Sequence, residues 1–235
     1  MKRTPTDLEL IEQQVETLFL QDEAKRLLAV NEPDKPEAPR FFLGRTKQGN
    51  LYRFRRDQPR PLIKHLEALV ISEPVPQSLH EEPVQLTAFA DVLREYRAIR
   101  QVWTGPAYTF SGEVRWPSGV VSITDTNADL LGKGFADWKA GLTTRQPCVA
   151  VVRENRVVSV CCSARTSPRA AEAGLETLEA FRGRGYAAAA VAGWAAAVRK
   201  DGRTPLYSTS WDNLASQGVA KKLRLTMYGA DFHVT

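Results

Sequence analysis

Two glycines and two arginines stand together late in the chain, in the stretch Phe181-Arg182-Gly183-Arg184-Gly185-Tyr186-Ala187. A glycine lets the backbone approach a ligand closely because it has no Cβ. Where such a turn opens a helix, the first backbone N–H groups are unbonded and lie at the positive end of the helix dipole. The arginines add charge that can pair with the same ligand. The stretch therefore predicts a site for phosphate groups.

The neighbouring residues supply the two elements that such a site needs. Residues 171–178 are predicted to be a strand that runs into the turn, and the alanine-rich stretch 186–200 is predicted to be the helix that follows it. Two other phosphate loops fit less well. A Walker A loop needs a Lys followed by Ser or Thr, which this turn lacks. A dinucleotide fingerprint belongs to an early βαβ unit and ends in a third glycine, where this chain has Ala188.

The second half of the chain alternates strands and helices around the turn. Alternating and β-branched residues predict strands, and apolar residues spaced by three and four predict helices. The predicted elements are a strand at 120–124, helices within 125–142, a hairpin of 148–152 and 156–162 around Glu154-Asn155, a strand at 206–209, a helix at 213–225 and a strand at 227–234.

The predicted elements of the first half follow a different pattern and are interrupted by prolines. Its predicted elements are a helix at 7–30, a proline-rich break at 31–39, a hairpin of 41–45 and 51–55, helices at 62–71 and 86–102, a break at Gly105-Pro106 and a strand at 107–110. We therefore predict two parts, residues 1–118 and residues 119–235.

The net charge of +5 lies entirely in residues 119–235, since residues 1–118 carry equal numbers of acidic and basic side chains. An excess of positive charge suits a polyanionic ligand, which is a nucleic acid or a phosphorylated cofactor. The basic residues are not interleaved with aromatic residues in any known nucleic-acid-binding motif, so a nucleic-acid partner is disfavoured.

Composition excludes several other classes. No run approaches the ~20 apolar residues that cross a bilayer, and the first residues lack the apolar region of a secretory signal, so we expect a cytoplasmic protein without a membrane partner. The three cysteines, Cys148, Cys161 and Cys162, lack metal-site spacing and are expected to be reduced apolar residues. The three histidines are far apart, and no metal is expected.

Residues 182–187 have the form R-x-x-G-x-A, which matches the signature Q/R-x-x-G-x-G/A and resembles the pyrophosphate turn of the GNAT superfamily of N-acetyltransferases. The elements also follow that family's order. Residues 213–216, followed by Lys221-Lys222-Leu223, resemble its later helix, although Arg224 replaces the usual glycine. The resemblance covers about residues 119–235 and is strongest from 171 to 225.

The resemblance implies an α+β fold, in which a mixed, mostly antiparallel sheet is flanked by helices and preceded by a smaller α/β N-terminal region. It also implies acetyl-CoA as co-substrate, with its pantetheine arm lying where the strand before the turn splays from the next strand. The residues that it assigns to acetyl-CoA are Glu176, Thr177, Leu178, Arg182, Gly183, Arg184, Gly185, Tyr186, Ala187, Ala188, Asn213 and Ser216. A backbone N–H near Leu178 would bind the thioester carbonyl, and Asn213 would contact the pantetheine arm or cap its helix.

Direct acetyl transfer needs a proton acceptor for the amine and a proton donor for the departing thiolate. Glu172 shares one face of the strand with Leu178, and some family members place a base six residues before that position. The resemblance therefore implies Glu172 as the catalytic base. The family's frequent acid, a tyrosine, is replaced by Ala220. The alternatives that stay open are Tyr186, Tyr207, Tyr228, Ser216 and water.

The leading hypothesis is an acetyl-CoA-dependent N-acetyltransferase that acts on an amine of a small molecule or peptide. A non-catalytic acyl-CoA-binding sensor or scaffold is the alternative, because the tyrosine is missing. A nucleic-acid binder is a weaker rival. The first half is a substrate-recognition module, a surface for homodimer formation or a degenerate relative of the second half, and its sequence does not distinguish these roles.

Overall fold

Strands and helices alternate through the computed structural model, which describes residues 3–235. The elements are α1 (Asp7–Leu18), β1 (Phe19–Gln21), β2 (Leu27–Val30), β3 (Phe41–Thr46), β4 (Gly49–Phe54), α2 (Arg60–Ser72), α3 (Leu86–Tyr96), β5 (Val102–Thr109), β6 (Val120–Ile123), α4 (Ala136–Ala140), β7 (Cys148–Arg153), β8 (Arg156–Thr166), β9 (Ala170–Thr177), α5 (Tyr186–Lys200), β10 (Thr204–Ser208), α6 (Leu214–Lys222) and β11 (Thr226–Val234). The predicted α+β class is confirmed. No helix within residues 3–235 is long and apolar enough to cross a membrane.

The chain forms two compact units. The first contains the residues up to Ala107 together with 209–212 and 227–235, and the second contains residues 108–208 and 213–226. The sequence placed the boundary at residue 118 and assigned the last strand to the second part. In the structure, β11 pairs antiparallel with β3 and therefore belongs to the first unit. Pairing between strands so distant in sequence leaves no local signal.

The first unit is built on the antiparallel strands β11, β3 and β4. Phe41 and Leu43 of β3 lie in one apolar cluster with residues of α2 and α3, while Phe42 lies in another with residues of α1 and β2. Successive residues of β3 thus face opposite sides of the sheet and are covered on both. This explains why every residue of β3 is buried.

The second unit is organised around β9. One edge of β9 pairs antiparallel with β8, which continues through β7 to β6, and its other edge pairs in parallel with β10. Helix α5 packs on one face of these strands, with Trp194 and Val198 in the core. On the opposite face, the segment 125–144, which forms short helical turns and α4, covers β7 and β8.

The parallel pairing of β9 with β10 is short. It joins Thr204 to Ala170, Pro205 to Ala171 and Leu206 to Glu172, and no further pair follows. Strand β9 continues to Thr177, bonded along this stretch to β8. Residues 173–177 therefore border an opening, which we call the β9–β10 gap. The splayed strands implied by the resemblance occur at this place.

Most elements predicted in the second half are confirmed, including the β7–β8 hairpin, whose turn residues Glu154 and Asn155 have positive φ. Three predictions in the first half are wrong. The helix predicted for 7–30 ends at Leu18 and is followed by β1 and β2, and the helix predicted for 86–102 ends at Tyr96. Gly105-Pro106, predicted as a break, lies inside β5. A carbonyl oxygen of Thr209 lies where a Cβ on Gly105 would stand, so close backbone approach is the role of that glycine.

Trp194 ties α5 to the sheet and so positions the turn before the helix. Its side chain is fully buried, and its Nε1 donates to the Ser163 hydroxyl at 3.1 Å. We expect Trp194→Phe to lower the free energy of unfolding by about 1–3 kcal/mol, because it leaves a cavity and a buried hydroxyl without its donor. Urea unfolding followed by circular dichroism measures this. Trp116→Phe, at a half-exposed position, is the control, and an equal loss in both variants would contradict the assigned role.

Candidate functional site

The turn between β9 and α5 has the geometry of an anion site. Gly183 (φ 73°) and Gly185 (φ 86°) both lie in the left-handed region that glycine adopts without strain. Gly185 directly precedes α5, and within the part of the chain that the structure describes no side chain caps the helix. The first N–H groups of a 15-residue helix are thus left for another acceptor, at the positive end of its dipole.

Lys222, at the end of α6, lies against this turn. A Cβ built on Gly185 would stand 2.6 Å from its Nζ. The glycine therefore makes room for an ammonium group beside the helix N-terminus. In the sequence, Lys222 stands out only as part of a helix signature, because its proximity to residue 185 depends on how α6 packs.

Four arginines surround the same turn. Arg182 donates from Nε to the carbonyl oxygen of Thr177 at 3.2 Å. The others lie over aromatic rings, with Arg184 and Arg156 on Phe181 and Arg153 on Tyr186. Among residues 3–235, none of these arginines, nor Lys222, forms an ion pair with a carboxylate. This concentration of unneutralised charge suits a ligand with several phosphates.

The strand beside the gap presents its free backbone groups at alternate residues. The N–H of Leu178 donates to the carbonyl oxygen of Val158 on β8 at 3.0 Å. Because neighbouring residues of a strand direct their N–H groups to opposite edges, those of Leu175 and Thr177 point towards the gap. The amide of Leu178 itself is therefore engaged, and the donors near it that a ligand in the gap can reach are Leu175 and Thr177.

Glu172 sits where the gap begins. Its side chain is 3% exposed, and its Oε1 accepts from the backbone N–H and the hydroxyl of Ser208 at 2.5 and 2.8 Å. Its Oε2 has no hydrogen-bond partner within residues 3–235. Burial raises the pKa of this carboxyl to about 7, although the Ser208 bonds and the charge of Arg165 act in the opposite direction. A carboxyl of that pKa is suited to take up a proton near neutral pH.

Trp138 covers the next part of the same face of β9. Its Nε1 donates to Glu176, and its ring lies 3.3 Å from where a Cβ on Gly174 would stand. Gly174 thus provides space for the indole between the two glutamates. No role for Trp138 could be predicted from the sequence, since its segment has no clear periodicity.

A cavity of about 670 Å³ continues this face beyond Glu176. Leu131, Val157 and Leu178 provide its apolar surface, and Lys133 and Arg156 are among the polar residues that line it. A half-open space of this size can hold a small molecule. It lies on the side of the sheet that Glu172 faces, away from α5.

The other face of the gap carries a pair of hydroxyls. The Tyr207 hydroxyl lies 2.7 Å from Ser216 Oγ and 3.2 Å from the Ser216 carbonyl oxygen. Burial raises the pKa of Tyr207 to about 12. Asn213 Oδ1 accepts from the Ser216 N–H at 3.0 Å, so Asn213 caps α6, which was one of its two predicted roles.

Two of the cysteines are not reduced in this structure. Cys148 and Cys162 occupy directly opposed positions on β7 and β8 and form a disulfide, with their Cα atoms 4.0 Å apart. The expectation of three reduced cysteines is therefore wrong. The cysteines thus give no support to the predicted cytoplasmic location. Cys161 is a buried free thiol whose pKa is raised by burial. The register that opposes residues 148 and 162 depends on the hairpin turn, which spacing alone did not reveal.

Part of this chain matches a known protein family. The sequence profile of the family described as GNAT acetyltransferase matches residues 123–228. No curated protein matches the chain.

Among solved structures, an acetyltransferase of the GNAT family from Colwellia psychrerythraea shares 11% identity and a TM-score of 0.51, over 99% of this chain and 97% of that one. A functionally unknown conserved protein from Staphylococcus epidermidis ATCC 12228 shares 9% identity and a TM-score of 0.51, over 96% of both chains. A GNAT-family protein from Novosphingobium aromaticivorans DSM 12444 shares 18% identity and a TM-score of 0.48, over 58% of this chain and 66% of that one.

The first two likenesses concern the fold, and they include the N-terminal residues that the family profile leaves out. The profile match spans the β9–β10 gap, the glycine turn, α5 and α6. The resemblance predicted from the glycine turn and its neighbours is thus confirmed, since residues 123–228 match the GNAT acetyltransferase family.

Proposed function

We propose that the protein transfers the acetyl group of acetyl-CoA directly to a primary amine of a small molecule or peptide. The observation that carries the proposal is the β9–β10 gap, which leads from the uncapped N-terminus of α5 to the buried carboxyl of Glu172. Family membership supports acyl transfer from acetyl-CoA. The amine acceptor and the direct transfer are argued from these residues.

The turn would hold the pyrophosphate. Residues 183–188 offer backbone N–H groups, and Arg182, Arg184 and Lys222 offer charge. Beyond the turn, the amides of Leu175 and Thr177 would meet the pantetheine arm as an added strand meets an exposed edge. From Leu178 to Ala173 the strand covers about 17 Å, at roughly 3.4 Å per residue. An extended arm can thus follow β9 from the turn to the beginning of the gap.

The thioester would then lie between Leu175 and Glu172. A gap-facing N–H can donate to its carbonyl oxygen, where negative charge develops as the amine attacks. Glu172 would accept the proton that the attacking amine loses. Its unbonded Oε2 is the atom available for this, since Oε1 is held by Ser208.

The acceptor would approach on the face that carries Glu172. Glu176 with its partner Trp138, and the cavity beyond them, lie on this side, whereas α5 covers the other. The carboxyl groups of Glu172 and Glu176 suit an amine that arrives as an ammonium ion and must lose its proton before it attacks.

Two measurements test the function. Isothermal titration calorimetry with acetyl-CoA and with desulfo-CoA tests cofactor binding, and a screen of polyamines, aminoglycosides, amino acids and peptides tests acetyl transfer. We expect binding of both ligands and transfer to at least one amine class. Binding without transfer would support the acyl-CoA sensor instead, and absence of binding would overturn both functions.

We expect Gly185→Asp to weaken acetyl-CoA binding at least ~100-fold, a loss of about 2.7 kcal/mol. The new carboxylate would stand beside Lys222 and the helix N-terminus, where it neutralises the charge that the phosphates need. Calorimetry measures the affinity.

Gly202→Asp is the matched control. Gly202 follows the other end of α5, has φ 80°, and has open space around its Cβ position. It should bind acetyl-CoA as the wild type does. Equal affinity in Gly185→Asp and the wild type would remove the turn from the proposed site.

We expect activity to rise with pH through about 7, because Glu172 must be ionised to accept a proton and its pKa is raised to about 7. Glu172→Gln should lower kcat/KM by about 10²–10⁴-fold and abolish this rise. Steady-state kinetics between pH 5.5 and 9 measures both. A pH profile unchanged in Glu172→Gln would exclude Glu172 as the base.

The same carboxyl makes stability depend on pH. The pKa of Glu172 in the folded protein lies above its ordinary value of 4.5. The stability that the protonated carboxyl contributes is therefore fully present below about pH 4.5, decreases as the pH rises, and is lost above about pH 7. When the pH is raised from 5 to 8, we expect the free energy of unfolding of Glu172→Gln to increase by about 2–3 kcal/mol relative to that of the wild type. Urea unfolding at both pH values checks this. Glu176→Gln, on an exposed part of the same strand, should show no such gain, and an equal gain there would contradict the assignment.

A further inference from the structure

The face of β9 that is turned away from α5 has opposite charges at its two ends. Glu172 and Glu176 carry the carboxyl groups of this face, and Leu178 lies further along it, at the same parity. Leu178 lines the cavity of about 670 Å³, together with the cations Lys133 and Arg156. A ligand that lies along this face therefore meets carboxyl groups at one end and cations at the other.

The cavity has an excess of positive charge. Within residues 3–235, Asp129 is the one carboxylate that lines it, and Asp129 Oδ1 accepts from Lys139 Nζ at 2.7 Å. Lys133 and Arg156 pair with no carboxylate in the same part of the chain. The charge left for a ligand is thus positive, and it favours an anionic group.

The other surfaces of the cavity suit an aliphatic chain. Leu131 and Leu178 supply apolar surface, and Leu130 is a large apolar side chain that is 43% exposed at the same place. The amide of Asn127 is bonded at both ends to backbone groups of its own segment, so its polar atoms are already engaged. The cavity therefore matches a short aliphatic side chain that ends in a carboxylate.

The separation of the two charged ends sets the length of the ligand. At roughly 3.4 Å per residue, β9 covers about 14 Å from Glu172 to Glu176 and about 20 Å from Glu172 to Leu178. A single amino acid is too short to place an amine at Glu172 and an anion in the cavity. Polyamines and aminoglycosides reach far enough but are cationic throughout. An extended peptide covers this distance in about four to six residues.

The kind of amine follows from the base. An N-terminal amine has an ordinary pKa of about 7.7–8.0, whereas that of a lysine side chain is about 10.4. Burial raises the pKa of Glu172 to about 7. A carboxyl of this pKa is well matched to an N-terminal amine and poorly matched to a lysine side chain.

We propose that the acceptor is the N-terminal amine of a peptide, and that the cavity binds an acidic side chain about four to six residues further along that peptide. This assignment rests on the proposed acetyl transfer and names its acceptor class. Lys133 binds the carboxylate of the peptide, and Leu130 covers the aliphatic part of the same side chain. The amine end lies at Glu172.

Lys133 is the residue that tests the cavity separately from the phosphate turn. Arg156 also lies over the ring of Phe181 in that turn, 6.0 Å from its centroid, so its replacement would change cofactor binding as well. Lys133 belongs to the segment 125–144, which covers the face opposite α5.

The first experiment measures release of the CoA thiol with peptides of seven residues. Each peptide is amidated and carries one Glu, moved from position 2 to position 7 of an otherwise neutral sequence, so this Glu is its only anion. We expect kcat/KM to be about 5-fold higher with Glu than with Gln at one or more of positions 5–7, as for an ion pair at a partly exposed site, and equal at position 2. The difference should shrink in 0.5 M salt.

The second experiment reverses the charge of the cavity. In Lys133→Glu, we expect a peptide with Lys at the best position to become a better substrate than the peptide with Glu, while the dissociation constant for acetyl-CoA stays within about 2-fold of the wild type. Lys200→Glu is the matched control, because Lys200 is exposed at the other end of α5. It should keep the preference of the wild type. If Lys133→Glu does not fold, Lys133→Gln should abolish the difference between Glu and Gln.

The outcomes separate this assignment from the proposed function. Equal kcat/KM for Glu and Gln at every position, or an unchanged preference in the Lys133 variants, would overturn it. Weaker binding of acetyl-CoA in Lys133→Glu would assign the cavity to the cofactor and overturn it as well. Transfer to small amines but to none of the peptides would overturn the acceptor class and leave the acetyl transfer standing. Absence of transfer to every amine would overturn both.

Discussion

The end of the pairing between β9 and β10 is the constraint on which the site depends. Three residue pairs hold the strands together, and the last of them joins Leu206 to Glu172. Beyond it β10 runs on to Ser208 and β9 to Thr177 without pairing to each other. An exposed strand edge normally invites association with another chain. Here it lies between helix α5 on one side and Trp138 on the other, so it forms a lined opening. Everything assigned to the chemistry borders this opening.

Burial of the Glu172 carboxyl at the beginning of the gap makes folding less favourable. A buried carboxyl whose Oε2 has no hydrogen-bond partner among the described residues opposes folding once it is charged. Ser208 offsets part of this cost through two hydrogen bonds from adjacent positions. The remaining penalty raises the pKa of the carboxyl towards the range in which a base is effective. Burial thus contributes to the proposed reactivity and lowers stability at the same site.

The second unit has two regions that differ in charge and geometry, the glycine turn and the beginning of the β9–β10 gap. Around the glycine turn, cations that pair with no carboxylate among residues 3–235 lie near the N-terminus of α5, which favours binding of an anion. At the beginning of the gap, burial raises the pKa of Glu172 to about 7, which favours proton transfer near neutral pH. The distance between them along β9 corresponds to an extended arm, so a ligand can be anchored at one end and react at the other.

The cysteines illustrate how a correct local rule can miss a tertiary fact. Cys161 and Cys162 do point to opposite faces of β8, as adjacent strand residues must. Cys162, however, lies opposite Cys148 because the β7–β8 register follows from the turn at Glu154-Asn155. Fourteen residues of separation carry no pairing information until that register is known.

Elements whose signals are local could be predicted from the amino-acid sequence alone. The hairpin, the glycine turn and the helix at 186–200 follow from turn residues, left-handed glycines and alanine propensity, and the family signature lies within one short segment. Tertiary structure decided the rest. It brought Lys222 against Gly185, placed Trp138 over Gly174, oriented Glu172 and Tyr207 to opposite faces of one gap, and returned β11 to the first unit. These depend on packing and register between distant residues, for which no local pattern is required.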